Sequence, residues 1–111
     1  MKKTENDLNL PVIALRLRQA RMRAGISQKK LGILAGMDEF VASARMNQYE
    51  RGKHIPEVSI VEKFASILQV PAAFFYTRDD TTAEMLILFE TLTKRQKLAL
   101  IARLQKKSLK E

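Results

Sequence analysis

The chain has no cysteine and no tryptophan, and only one histidine, three prolines and four glycines in 111 residues. Without thiols, disulfide frameworks, cysteine-based zinc sites and thiol catalysis are excluded, and a reducing cytoplasm is the natural compartment. The lone histidine, His54, reads as an exposed turn residue. Aromatics make up 6% of the chain, which suits small helices more than a sheet, while 46% hydrophobic content suffices for a core. No apolar run approaches the roughly 20 residues that span a bilayer. Residues 1–7 lack the apolar stretch of a signal peptide, so no membrane partner is expected. No phosphate-binding glycine loop or nucleophile–base arrangement is legible, and Asp79-Asp80 fits a connection or helix start better than a metal site. An enzyme, a cofactor and a bound metal are therefore not expected.

What is abundant is positive charge, and its distribution matters more than its net value of +8. From Pro11 to Lys53 nine Lys/Arg face three acids, from His54 to Glu90 two face six, and from Thr91 to Glu111 seven face one. A basic front half, an acidic middle and a basic tail fit a nucleic-acid face set beside a different surface.

Periodicity and punctuation predict five or six helices, no strand and no internal repeat. Residues 1–9 are expected to form a flexible arm. A first helix is predicted from about Pro11 to Ala24, with Ile13, Leu17, Ala20 and Ala24 at helical spacing and Gly25 as a left-handed cap. Ser27 caps a second helix of about residues 28–35, ended by Gly36; Gly32 inside it costs about 1 kcal/mol relative to alanine, which a close helix crossing would explain though the sequence cannot show one. A third helix ends at Arg51, before Gly52. A fourth runs from about Glu57 to Leu68, and Pro71 starts a short fifth through Phe75. Thr77 to Thr82 reads as a connection. Thr81–Glu84 and Thr93–Gln96 match the capping box, placing helix starts near Thr82 and Lys94. Two short helices separated by a glycine, the second polar and basic, are a means of presenting side chains to the edges of DNA bases.

The stretch from Ile13 to Phe75 resembles the helix-turn-helix domain of the Cro/phage-repressor (XRE) family of bacterial and phage regulators. The residues that carry the resemblance are Arg21, Gly25-Ile26-Ser27-Gln28, Leu31, Gly36-Met37, Tyr49-Glu50-Arg51-Gly52-Lys53, Pro56 and Ala65 to Val70. It implies an all-α, lambda-repressor-like five-helix DNA-binding domain over residues 10–76, with a C-terminal helical extension over 77–111. Two departures stand out. Gly32 replaces the usual alanine, and the interval from Gly36 to Glu50 is about four residues longer than usual, within Asp38 to Ala42. Either the turn is enlarged, with Ser43 near the N-cap of a recognition helix spanning 43–51, or that helix starts early at Asp38. The enlarged turn is the working expectation.

Counted back from Glu50, the recognition helix presents Ser43, Ala44, Arg45, Asn47 and Gln48, while Met46 and Tyr49 turn to the core. Arginine can donate two hydrogen bonds to guanine, Asn or Gln can pair with adenine, and a small alanine can lie against a thymine methyl. Gln28, Lys29, Arg51 and Lys53 are the candidate phosphate contacts. By the resemblance, Arg21 and Glu50 form a structural ion pair between the first helix and the end of the third.

The extension carries Leu86, Phe89, Leu98, Ile101 and Leu104, an apolar surface expected to form a homodimer that reads a palindrome in double-stranded DNA. The alternative is that it folds back within one chain. Repression of transcription from a cytoplasmic, nucleoid-associated position is the expected function. Two rivals are an antitoxin, whose tail masks a toxin while it autoregulates its operon, and a protein–protein adaptor that keeps the fold without base reading.

Overall fold

Pro11 sits just outside a helix with φ −54° and ψ 143°, and its carbonyl accepts the first helical hydrogen bonds, from the N–H groups of Ala14 and Leu15. Helix α1 (Val12–Ala24) follows and closes at Gly25 in the left-handed conformation. The computed structural model describes residues 9–110, the side chain of Lys110 excepted. The expected arm therefore lies outside the described residues but for Asn9. The remaining elements are α2 (Gln28–Leu34), α3 (Glu39–Glu50), α4 (Val58–Leu68), a 3-10 helix (Ala72–Tyr76), α5 (Asp80–Glu90) and α6 (Lys94–Lys110). The fold is all-helical.

The core forms where α1, α2, α3 and α4 meet the 3-10 helix. Leu17, Leu31, Met46, Val61, Phe64 and Phe75 are sealed from solvent there. Tyr49 packs edge-on to Phe64, with ring centroids 6.3 Å apart. Ala83 of α5, 2% exposed, belongs to the same cluster, so the core continues past the 3-10 helix.

The most deeply buried polar side chain is Arg16, 1% exposed. Its Nε donates to Thr77 O at 2.8 Å, Nη1 to Gln19 Oε1 at 2.8 Å, and Nη2 to Arg78 O at 2.8 Å and Asp80 Oδ1 at 3.0 Å. The guanidinium lies 5.6 Å from the centroid of the Phe74 ring. A buried guanidinium is tolerable only when its donors and charge are met, and here they are. The result is a tie from α1 to the segment that launches α5. Sequence reading overlooked Arg16. Its place three residues after Ile13 and four before Ala20, inside the apolar stripe of α1, was the available signal.

Two expectations are corrected. The turn between α2 and α3 is not enlarged: α3 begins at Glu39, not near Ser43, and Arg51 is its C-cap. The extra residues form a further helical turn because Asp38 caps it, its carboxylate accepting from Phe40 N at 2.8 Å, and because Ala42 is fully buried against α2. The Thr81–Glu84 capping box is also not the start of α5. Asp79 takes that role, accepting from the N–H and hydroxyl of Thr82 at 2.8 Å each, and Asp80 is already helical beside Arg16. The second box does form: Thr93 N donates to Gln96 Oε1 at 2.9 Å, and Gln96 N to Thr93 Oγ1 at 3.1 Å.

Helices α2 and α3 cross at Gly32. A Cβ there would stand 2.8 Å from Ala42 Cβ and 3.2 Å from its Cα. Alanine's better helix propensity, about 1 kcal/mol, is outweighed by a clash against atoms fixed to a helix backbone. We expect Gly32→Ala to lower stability by about 1–2 kcal/mol in urea unfolding. Combination with Ala42→Gly should recover more of that loss than the two separate effects add to.

Candidate nucleic-acid interface

Helix α3 is pinned at its C-terminal end. Glu50, 5% exposed, receives Arg21 Nε at 2.6 Å and Nη2 at 3.0 Å, a two-pronged pairing that fixes direction as well as distance. Arg21 Nη1 donates to Ile26 O at 2.9 Å, so one guanidinium joins α1, the approach to α2 and the end of α3. Hydrogen bonding to Glu50 holds the Arg21 proton above its ordinary range, ahead of the opposing effect of burial. A raised folded-state pKa stabilises at every pH below the unfolded value. The Arg21 contribution is thus present through neutral pH and lost only as the solution becomes strongly alkaline.

Gln28 opens α2, behind the Ser27 cap whose hydroxyl accepts from Lys30 N at 3.0 Å. Its amide reaches back to α3, with Nε2 3.4 Å from Asn47 Oδ1 and 3.3 Å from Glu50 Oε1. Beyond Glu50 the chain turns at Gly52, at φ 75°. A Cβ on Gly52 would meet Pro11 Cδ at 2.7 Å, so the turn is pressed against the start of α1. Lys53 N donates to Gln48 O at 2.9 Å and so holds Lys53 beside the helix end.

The burial pattern of α3 defines its two faces. Ala42, Met46 and Glu50 are buried and Tyr49 is half-buried, while Ser43, Ala44, Arg45, Asn47 and Gln48 are all exposed. These five are not one stripe. Ala44, Asn47 and Gln48 share the outward face; Ser43 and Arg45, two residues apart, are separated by about 200° of helix and leave on opposite flanks. Arg45 and Gln48 line a groove with Tyr49, His54, Ile55, Glu57 and Ile60. Lys29, Arg45, Arg51 and Lys53 are exposed, and none of them lies within 4.0 Å of an acid among the described residues. Phe40, 88% exposed, also stands on the outward face, four residues before Ala44. Sequence reading missed it because a turn was expected there.

A short helix docked across a second one, with exposed amides and cations on its outer face and its far end clamped, is the arrangement of a DNA-binding helix-turn-helix. The chain belongs to that family. Residues 12–73 match the family described as a helix-turn-helix domain, and the protein is of the Cro/phage-repressor (XRE) type. It is similar to the crystal structure of the transcriptional regulator BswR, with 48% sequence identity and a TM-score of 0.80, over 84% of this chain and 92% of that one. No curated protein sequence matches it. Among the described residues no helix is long and apolar enough to cross a membrane.

The clamp makes a testable claim. Glu50→Ala leaves the Arg21 charge half-buried and unpaired, so we expect a loss of about 2–3 kcal/mol, below the figure for a fully buried pair because Arg21 touches water. Thermal unfolding should show the loss; an unchanged melting curve would remove the clamp from the account.

Proposed function

We propose that the protein is a homodimeric transcriptional repressor that reads a palindromic operator, each protomer laying α3 in the major groove. The observation that carries this reading is the outer face of α3: exposed Ala44, Arg45, Asn47 and Gln48, with no ion pair to Arg45 among the described residues, on a helix held rigid by Arg21 and Glu50. Rigidity matters because a base-reading amide discriminates only when its position is set in advance. Asn47 and Gln48 address adenine and Arg45 addresses guanine, with Ser43 on the helix flank. Gln28, Lys29, Arg51 and Lys53 serve the phosphates, Gln28 from the start of α2 and the others from either end of the two-helix unit. Residues 10–76 act as the DNA-binding domain, 77–111 as the dimerising extension, and the protein works in the cytoplasm.

The dimer is supported by α6. Every side chain from Ile101 to Leu109 is exposed. Leu98, Ile101 and Leu104 remain 58%, 40% and 55% exposed. Leu86 and Phe89 of α5 are half-buried. The radius of gyration, 16.0 Å, exceeds the value of about 13 Å for a compact chain of this length, which fits a helix that projects rather than folds back. An apolar strip of this extent calls for a partner, and a second copy brings two recognition helices to half-sites about 34–36 Å apart. A toxin on the same strip is the rival occupant, and a small co-purifying protein would mark it.

Selection from a random DNA pool by the full chain, at two salt concentrations, should enrich a palindrome with half-sites one helical turn apart. Binding that only weakens with salt, without enrichment, would mean phosphate attraction alone. On the selected site Gln48→Ala should cost about tenfold or more in affinity. Truncation after Leu92 keeps Ala83 in the core and removes α6, and should sediment as a monomer; a truncated dimer would show that α6 is not needed for the interface.

A further inference from the structure

We infer that Phe40, at the leading end of α3, is a specificity-determining residue that packs against thymine 5-methyl groups in the major groove. The inference rests on the DNA-binding reading above and extends it to a residue outside the expected recognition set. Phe40 is 88% exposed, whereas Phe64, Phe74 and Phe75 are buried and Phe89 is half-buried. Core packing accounts for Phe64, Phe74 and Phe75, and Phe89 lies under the Lys97 ammonium; neither kind of contact accounts for Phe40.

Its position is set by the additional helical turn. Asp38 caps the helix through Phe40 N, so the backbone at Phe40 is held where the first turn begins. Spacings of four and seven residues put Phe40 on one stripe with Ala44 and Asn47. From Phe40 to Asn47 the stripe runs about 10 Å along the axis, the rise of three base pairs. Helix N-terminal residues are the ones that reach base edges in this docking geometry.

The neighbouring chemistry is consistent. Val41, 45% exposed, and Ala44 flank the ring with apolar surface, and the nearest amides belong to Asn47 and Gln48. Measured from Ala44 at the centre of the outward face, Val41 lies about 60° away and Glu39 about 140°, so the acid leaves on another side. The Asp38 carboxylate is turned back onto the helix's own N–H. A ring at the groove floor flanked by small apolar groups fits a methyl group, and thymine is the base that carries one there.

The test compares the full chain with Phe40→Ala and Phe40→Leu on the site selected by the full chain, with each thymine in turn replaced by uracil, which lacks only the methyl. The expected result for the full chain is about fourfold weaker binding for each contacted methyl removed. Phe40→Ala should bind the thymine site more weakly and be indifferent to uracil at those positions, while Phe40→Leu retains the preference. Equal binding of thymine and uracil sites by the full chain overturns the inference, as does undiminished uracil sensitivity in Phe40→Ala. Both of those results leave the regulator reading intact; failure to select any sequence would instead sink that reading and this inference with it. Phe40→Ala should melt like the parent chain, and a change in oligomeric mass with unchanged DNA preference would also overturn the assignment by making Phe40 a protein contact.

Discussion

Everything presented on the outer face of α3 depends on the Arg21–Glu50 pair. Recognition of a base edge requires hydrogen-bonding groups placed to within a fraction of an ångström, and a twelve-residue helix held only by apolar contacts at Ala42 and Met46 could rock about its axis. The two-pronged contact at 2.6 and 3.0 Å removes that freedom at one end. At the other end, the crossing of Gly32 against Ala42 brings α2 and α3 closer than two side chains would permit. The helix is therefore held by charge at one end and by close packing at the other, with its outward residues left free.

A second arginine, this one fully buried, governs the rest of the molecule. Arg16 binds the carbonyls of Thr77 and Arg78 and the carboxylate of Asp80, and Arg78 in turn donates to Leu10 O at 3.0 Å. Together with Ala83 in the core, these contacts fix where α5 departs. The direction of α5 sets the direction of α6 and, through any dimer that α6 forms, the spacing of two recognition helices. Helix α1 thus serves two ends from two sides, with Arg21 toward the DNA-reading unit and Arg16, about 140° around the axis, toward the extension.

Much of this was legible from local chemistry. Ser27 before a helix, Gly25 after one and the Thr93–Gln96 box each act through the backbone groups of their own few residues, and each formed as expected. The Arg21–Glu50 pair, 29 residues apart, came instead from the family resemblance and is present at hydrogen-bonding distance. The start of α3 was misjudged because Asp38 suits a loop and an N-cap equally, and length relative to relatives cannot say which. The Thr81 box lost to Asp79 because Asp80 is drawn into the Arg16 network, an influence from a residue 64 positions away.

The sequence by itself determined the class of the protein: an all-helical chain, a basic front half, and a helix-turn-helix whose second helix carries amides and arginine. Those properties follow from periodicity, caps and composition, which operate over a few residues at a time. The tertiary structure alone decided that α3 gains a turn at its N-terminus, that Phe40 stands on the outward face, and that Arg16 is a buried tie. Each depends on which distant atoms lie alongside: Ala42 against Gly32 in the first two cases, and the carbonyls beyond the 3-10 helix in the third. The local signature of such contacts is partial: Gly32 within a helix and Arg16 within an apolar stripe each ask for a neighbour, but neither says which distant atoms supply it.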